Sequence, residues 1–227
     1  MPRQITETVY QYGELSDAAK SKARDWFREL EAQDFGSHGE LYEDFEICAE
    51  RLGIEFDRRD VPLMGGGKRS EPCIFWSGFC SQGDGACFEG RYTYRKASTK
   101  AVKDHAPKDK ELQRIAIELS KLQRKHGRRL AAKVKHQGHY NHAYCTEIDT
   151  WYDHPKTGLA CLSWERVPNA PDDAKALEQL LRDFMNWMYR QLEAEYNYRT
   201  GDEAVVEGIE ANEYEFSVDG KRSVVIR

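Results

Sequence analysis

No apolar run in the 227 residues approaches the roughly 18 needed to cross a bilayer, and the N-terminus carries no secretory pattern. These absences predict a protein that stays in the cytoplasm and does not contact a membrane. Cysteine is sparse and unpatterned: Cys48, Cys73, Cys80, Cys87, Cys145 and Cys161 include no C-x-x-C pair and no zinc-like spacing. They read as reduced thiols acting as small core hydrophobes. The glycines fit neither a phosphate-binding P-loop nor a dinucleotide fingerprint. Ser77, Ser81 and Cys80 sit in no nucleophile elbow or cysteine-protease context. No repeat or low-complexity tract is present. No cofactor is expected, and no metal ligand set is assigned.

What is there describes a globular chain. A hydrophobic content of 40% with 11% aromatics is enough to build a core. The length predicts one domain spanning residues 1–227. The net charge of −5 is unevenly placed. Residues 91–139 carry a balance of +11 and the remainder −16. Such bipolarity steers a charged partner, supports head-to-tail self-association into a homo-oligomer, or is paired internally.

Periodicity predicts an α+β fold, with an antiparallel or mixed sheet packed against several amphipathic helices. Gln4 to Tyr12 reads as an opening strand. Ser16 caps a helix with Leu15, Ala19, Ala23, Trp26, Phe27 and Leu30 on one face. A break at Gly36 to Gly39 precedes a second helix carrying Leu41, Phe45, Cys48, Ala49 and Leu52, stopped by Gly53. A strand begins at Ile54, and Met64 to Pro72 reads as a flexible loop. Ala86 to Tyr94 reads as one strand, followed by a lysine-rich connection to a helix bearing Leu112, Ile115, Leu119 and Leu122. Leu130–His136 and His139–Tyr152 read as a hairpin turning at Gln137–Gly138. The longest helix starts at Pro171. A short one covers Asp202 to Ala211, and a hairpin about Asp219–Gly220 closes the chain.

Three stretches carry possible chemistry. The first runs from Ile74 to Gly90, where aromatic strands bracket a polar break holding Ser77, Ser81, Gln82, Gly83, Asp84 and Gly85. Its glycines permit close approach by another backbone or a ligand. Asp84 then serves as acid, base or metal ligand, or folds a turn through its own hydrogen bonds; Glu89 is the nearest other acid. The second stretch places His136, His139 and His142 within seven residues. With a two-residue turn, His136 and His139 share one face and His142 takes the other. The third is the basic segment, in which Arg124, Lys125, Arg128 and Arg129 are placed to contact phosphates.

Several segments together carry a resemblance. They are Tyr10–Ser16 with Ala19–Trp26, then Trp76–Ala86, His136–His142 and Tyr189–Tyr196, and the S-G-F-x-S-Q-G-D-G-A core is the most specific. On these the chain resembles a group of small bacteriophage and prophage proteins labelled antitoxins of toxin–antitoxin stability systems. The resemblance covers nearly the whole chain and brings no catalytic residues with it. It implies a phage-type protein in the bacterial cytoplasm that inhibits a host defence effector, nuclease or toxin by direct protein–protein contact. Two other readings stand beside it. One is a small-ligand or nucleotide-processing enzyme using Asp84, Glu89, His136, His139 and His142. The other is a nucleic-acid-binding module built on residues 91–139.

Overall fold

The computed structural model describes residues 8–35, 39–152 and 171–223. In chain order the elements begin with β1 (Tyr10–Gln11), α1 (Asp17–Asp34), α2 (Gly39–Leu52), β2 (Ile54–Phe56), β3 (Arg58–Pro62), β4 (Lys68–Pro72), β5 (Ile74–Ser77), β6 (Gly85–Phe88) and β7 (Gly90–Tyr92). They continue with α3 (Ser98–His105), α4 (Lys110–Lys125), β8 (Leu130–His136), β9 (Thr146–Tyr152), α5 (Pro171–Arg199), α6 (Asp202–Ala211) and β10 (Glu215–Phe216). The fold is α+β. No helix among the described residues is long and apolar enough to cross a membrane.

The chain gathers into two compact units, one from residues 1–38 and 192–227 and the other from 39–191. In the first, Ser16 accepts from the Ala19 amide and starts α1. One face of that helix buries Ala19, Ala23 and Phe27 with Tyr12, Leu15, Val205, Ile209 and Phe216. The antiparallel pair β1–β10 lies in the same unit, and Trp26 meets Tyr214 edge-on at 5.2 Å. Phe216 bridges to Arg222, and Gly220 takes a φ of +82°, so the closing turn forms where Asp219–Gly220 predicts it.

The second unit is built on an antiparallel sheet ordered β2-β7-β8-β9, with the separate hairpins β3–β4 and β5–β6. Its inner-face residues are apolar and buried, among them Ile54, Phe56, Tyr92, Ala132 and Val134. The α4 stripe of Leu112, Ile115, Ala116 and Leu119 is buried, and the apolar face of α5 follows the predicted period through Leu177, Leu181, Phe184 and Met188. Phe184 meets Phe88 at 6.1 Å and Trp187 meets Phe45 at 5.7 Å. Trp187 also donates its indole N–H to Asp109 at 2.6 Å, satisfying the one polar atom of a nearly buried ring. Cys48, Cys73 and Cys87 are buried free thiols, Cys80 is exposed, and Cys145 is partly buried; Cys161 lies outside the described residues.

Five local expectations are corrected. The segment Met64–Pro72 is not all loop, because Lys68–Pro72 pairs with Arg58–Pro62 in register from Arg58↔Pro72 to Pro62↔Lys68. That ribbon is polar and exposed, so no hydrophobic alternation marks it. The lysine-rich connection contains α3, which buries little beyond Val102 and so leaves a weak periodic trace. The stretch Ala86–Tyr94 is divided at Glu89, so that β6 and β7 join different sheets. Finally, β8 and β9 pair from Leu130↔Tyr152 to His136↔Thr146, so the chain reverses through Gln137–Cys145, not through a two-residue turn. Of the opening strand, only Tyr10–Gln11 is a strand among the described residues.

Candidate functional site

The β5–β6 hairpin ends at the Ser77↔Gly85 pair, leaving the polar loop above it. Asp84 folds that loop. Its Oδ2 accepts from the Cys80 amide at 3.0 Å and the Ser81 amide at 2.6 Å, while its own amide donates to the Ser81 carbonyl at 3.1 Å. The carboxylate therefore performs the turn-forming role open to Asp. Two outside side chains tie the loop down: Tyr189 donates to the Gly78 carbonyl at 3.0 Å, and Asn141 donates to the Trp76 carbonyl at 2.9 Å.

The glycines let the segment Gln137–Cys145 close over this loop. A Cβ on Gly85 would lie 2.5 Å from the Cβ of His142, and one on Gly83 would lie 2.9 Å from the Tyr140 ring. Gly83 also has a φ of +103°, where a side chain is strained whatever the space. The close approach anticipated for Gly83 and Gly85 is thus made by another stretch of the same chain.

Gln82, Gly83, Asp84, Tyr140, His142 and Tyr144 line an open depression of about 490 Å³. Tyr140 and Tyr144 are 60% and 67% exposed. Tyr140 lies nearly parallel to His142, with centroids 6.3 Å apart, and Arg182 stands 5.5 Å from the Tyr144 ring. His142 Nδ1 accepts from the Tyr144 amide at 3.1 Å, so its Nε2 carries the proton and faces Cys145 Sγ at 3.4 Å. An imidazole held in that tautomer presents a donor to the sulfur and has no lone pair with which to take the thiol proton.

The other residues singled out are dispersed. Ser77 closes the hairpin, and Ser81 gives its amide to Asp84. Glu89 accepts from the His136 amide at 3.2 Å. The His136 ring stacks on Phe75 at 4.9 Å and donates Nε2–H to the Tyr140 carbonyl at 2.9 Å. Neither Glu89, His136 nor His139 lines the depression. Without the two-residue turn, His136 and His139 do not face each other across a hairpin. Sequence reasoning passed over Tyr140, Tyr144, Asn141, Arg182 and Tyr189. The alternation Tyr140, His142, Tyr144 was the available signal for the first two.

The basic residues are engaged within the protein. Lys125 pairs with Asp173 at 2.7 Å, and His126 bridges Asp173 and the Tyr152 hydroxyl at 2.9 and 2.7 Å. Lys125, then His126, hold the Asp173 carboxyl below its ordinary value. Arg128 stands over Tyr94 and Arg129 over Tyr152, at 5.6 and 5.4 Å; Arg124 donates to the Ser120 carbonyl at 3.2 Å. Across the sheet, Glu55 faces Arg91, Arg91 faces Lys133, and Lys133 faces Asp149. Acidic residues from other segments thus neutralise part of the +11 stretch.

Residues 38–202 match the family described as a domain of unknown function (DUF8835), and the chain belongs to that family. No curated protein and no solved structure matches the chain.

Proposed function

We propose that this is a binding protein that acts by direct contact with another protein, using the aromatic depression over the Asp84 loop. The observation that carries this reading is the pair of exposed rings, Tyr140 and Tyr144, held over a pinned glycine loop. Tyrosine offers large contact area at low entropic cost and dominates many interfaces. Here the rings are already positioned by His142, Arg182 and the loop backbone, so little ordering cost remains to be met on binding. The sequence resemblance extends the proposal to the partner's class: a bacterial defence effector, nuclease or toxin, met in the cytoplasm. The separated acidic and basic regions favour rapid, selective docking to such a target.

The enzyme reading has less support, because Asp84 is occupied with loop amides and His142 is held as a donor toward Cys145. The nucleic-acid reading is weakened by the ion pairs and aromatic contacts of the basic segment.

The test is a pull-down of the tagged protein from bacterial lysate at roughly 200 mM salt, a level that weakens phosphate contacts. It is run beside the double variant Tyr140→Ala, Tyr144→Ala. A stoichiometric protein partner should appear with the unaltered protein. The variant should bind that partner at least about 30-fold more weakly, the loss expected of a buried tyrosine anchor. Recovery of the same partner by a folded variant would refute the assignment to this surface. A preparation carrying only a small molecule would favour the enzyme.

A further inference from the structure

A second cluster, remote in sequence from the polar loop, joins α2 to α3. Asp44 and Cys48 are four residues apart on α2, a spacing that puts them on one face of the helix. His105 closes α3 and reaches the same place. Its Nε2 lies 2.9 Å from Asp44 Oδ1, and Cys48 Sγ lies 3.9 Å from Asp44 Oδ2. One donor atom from each residue falls within 4.8 Å of the other two. Ligands at about 2.0–2.3 Å from a tetrahedral ion are separated by roughly 3.3–3.8 Å, so only small side-chain adjustments are required.

We propose that Asp44, Cys48 and His105 form a binding site for a thiophilic divalent transition metal of the zinc class, clipping α2 to α3.

The donor set decides the class. One sulfur, one imidazole nitrogen and one carboxylate oxygen suit zinc, whereas calcium and magnesium need a shell of oxygens. The proton balance is simple. Cys48 releases its S–H proton, and neutral His105 moves its remaining proton from Nε2 to Nδ1, freeing Nε2 to ligate. The nearby charges are accounted for: Asp109 caps α4 through Leu112 and accepts from Trp187, while Arg51 donates to the Ile47 carbonyl. The Asp44 and His105 side chains are 49% and 27% exposed, which leaves an entry path and water for a fourth position. Cys48, 1% exposed, anchors the site from inside.

Cobalt(II) is the probe, added to the reduced full-length protein and then displaced by zinc. A thiolate-to-cobalt charge-transfer band should grow to one equivalent and disappear on zinc addition. It should be lost in Cys48→Ser and kept in Cys80→Ser, whose thiol is exposed and outside the cluster. Because Cys48 is buried, His105→Gln provides a second variant at a more open position; it should weaken cobalt binding at least tenfold. Zinc at a hundredfold excess over its Kd should raise the melting temperature by roughly 5 °C or more, and His105→Gln should remove that shift. Absence of the band in the unaltered protein would overturn the proposal, as would its persistence in Cys48→Ser or its loss in Cys80→Ser.

Discussion

Burial changes the chemistry of several side chains that composition alone leaves ordinary. Cys87 is 0% exposed in β6, and desolvation, with the charge of Glu89 and the neighbouring Cys145 adding to it, pushes its thiol up to about 12. An unfolded cysteine ionises near 8.5 (roughly). Below that pH the thiol is protonated in both states and its contribution to stability is fully present. Above it only the unfolded chain ionises, so stability falls as the pH rises toward 12, by roughly 1 kcal/mol per pH unit for each such thiol. Thermal unfolding followed from pH 7 to 10 should therefore show a steep alkaline decline, made shallower by about that amount in Cys87→Ala. An unchanged slope would mean that Cys87 ionises alike in both states. Asp84 illustrates the opposite limit of legibility. Its turn-forming reading was available from residue type and its glycine neighbours, but its choice of the Cys80 and Ser81 amides was not. That depends on the path of the intervening backbone.

Helices with a strong apolar stripe were readable because burial repeats every three to four residues. The stretch Asp202–Ala211 is a helix within the expected bounds, and α5 buries the expected leucines, phenylalanine and methionine. The β3–β4 ribbon and α3 escaped for the converse reason: neither has a face that must leave water along its whole length. A polar contact between elements was equally hidden. Gln123, buried in α4, donates to the Tyr92 hydroxyl at 3.1 Å and to the Leu130 carbonyl at 2.7 Å, and accepts from the Leu130 amide at 3.2 Å. It joins the helix to β7 and to the first residue of β8 and satisfies groups that water cannot reach. Buried polar groups left unpaired cost about 1–3 kcal/mol each. Gln123→Ala should thus destabilise the protein by roughly 3 kcal/mol or more in urea denaturation, well beyond its packing loss. A cost below about 1 kcal/mol would show that these groups find other partners.

For the whole molecule, the matched family segment 38–202 contains all of the unit formed by residues 39–191. That unit has its own sheet, helices and buried apolar residues. A fragment of residues 38–202 should fold alone and melt in one cooperative transition, followed by circular dichroism. A fragment without such a transition would place its stability outside the segment.

The sequence by itself determined the α+β class, the strongest helices, the cap at Ser16, and the location of the glycine loop, because propensity and periodicity are local properties. It also located the charge asymmetry. Only the tertiary structure decided what those features meet. Gly83 and Gly85 lie beneath Tyr140 and His142, Lys125 meets Asp173, and His105 meets Asp44 and Cys48. Each meeting joins residues far apart along the chain, and its distance is set by how strands register and helices pack, which no local pattern encodes.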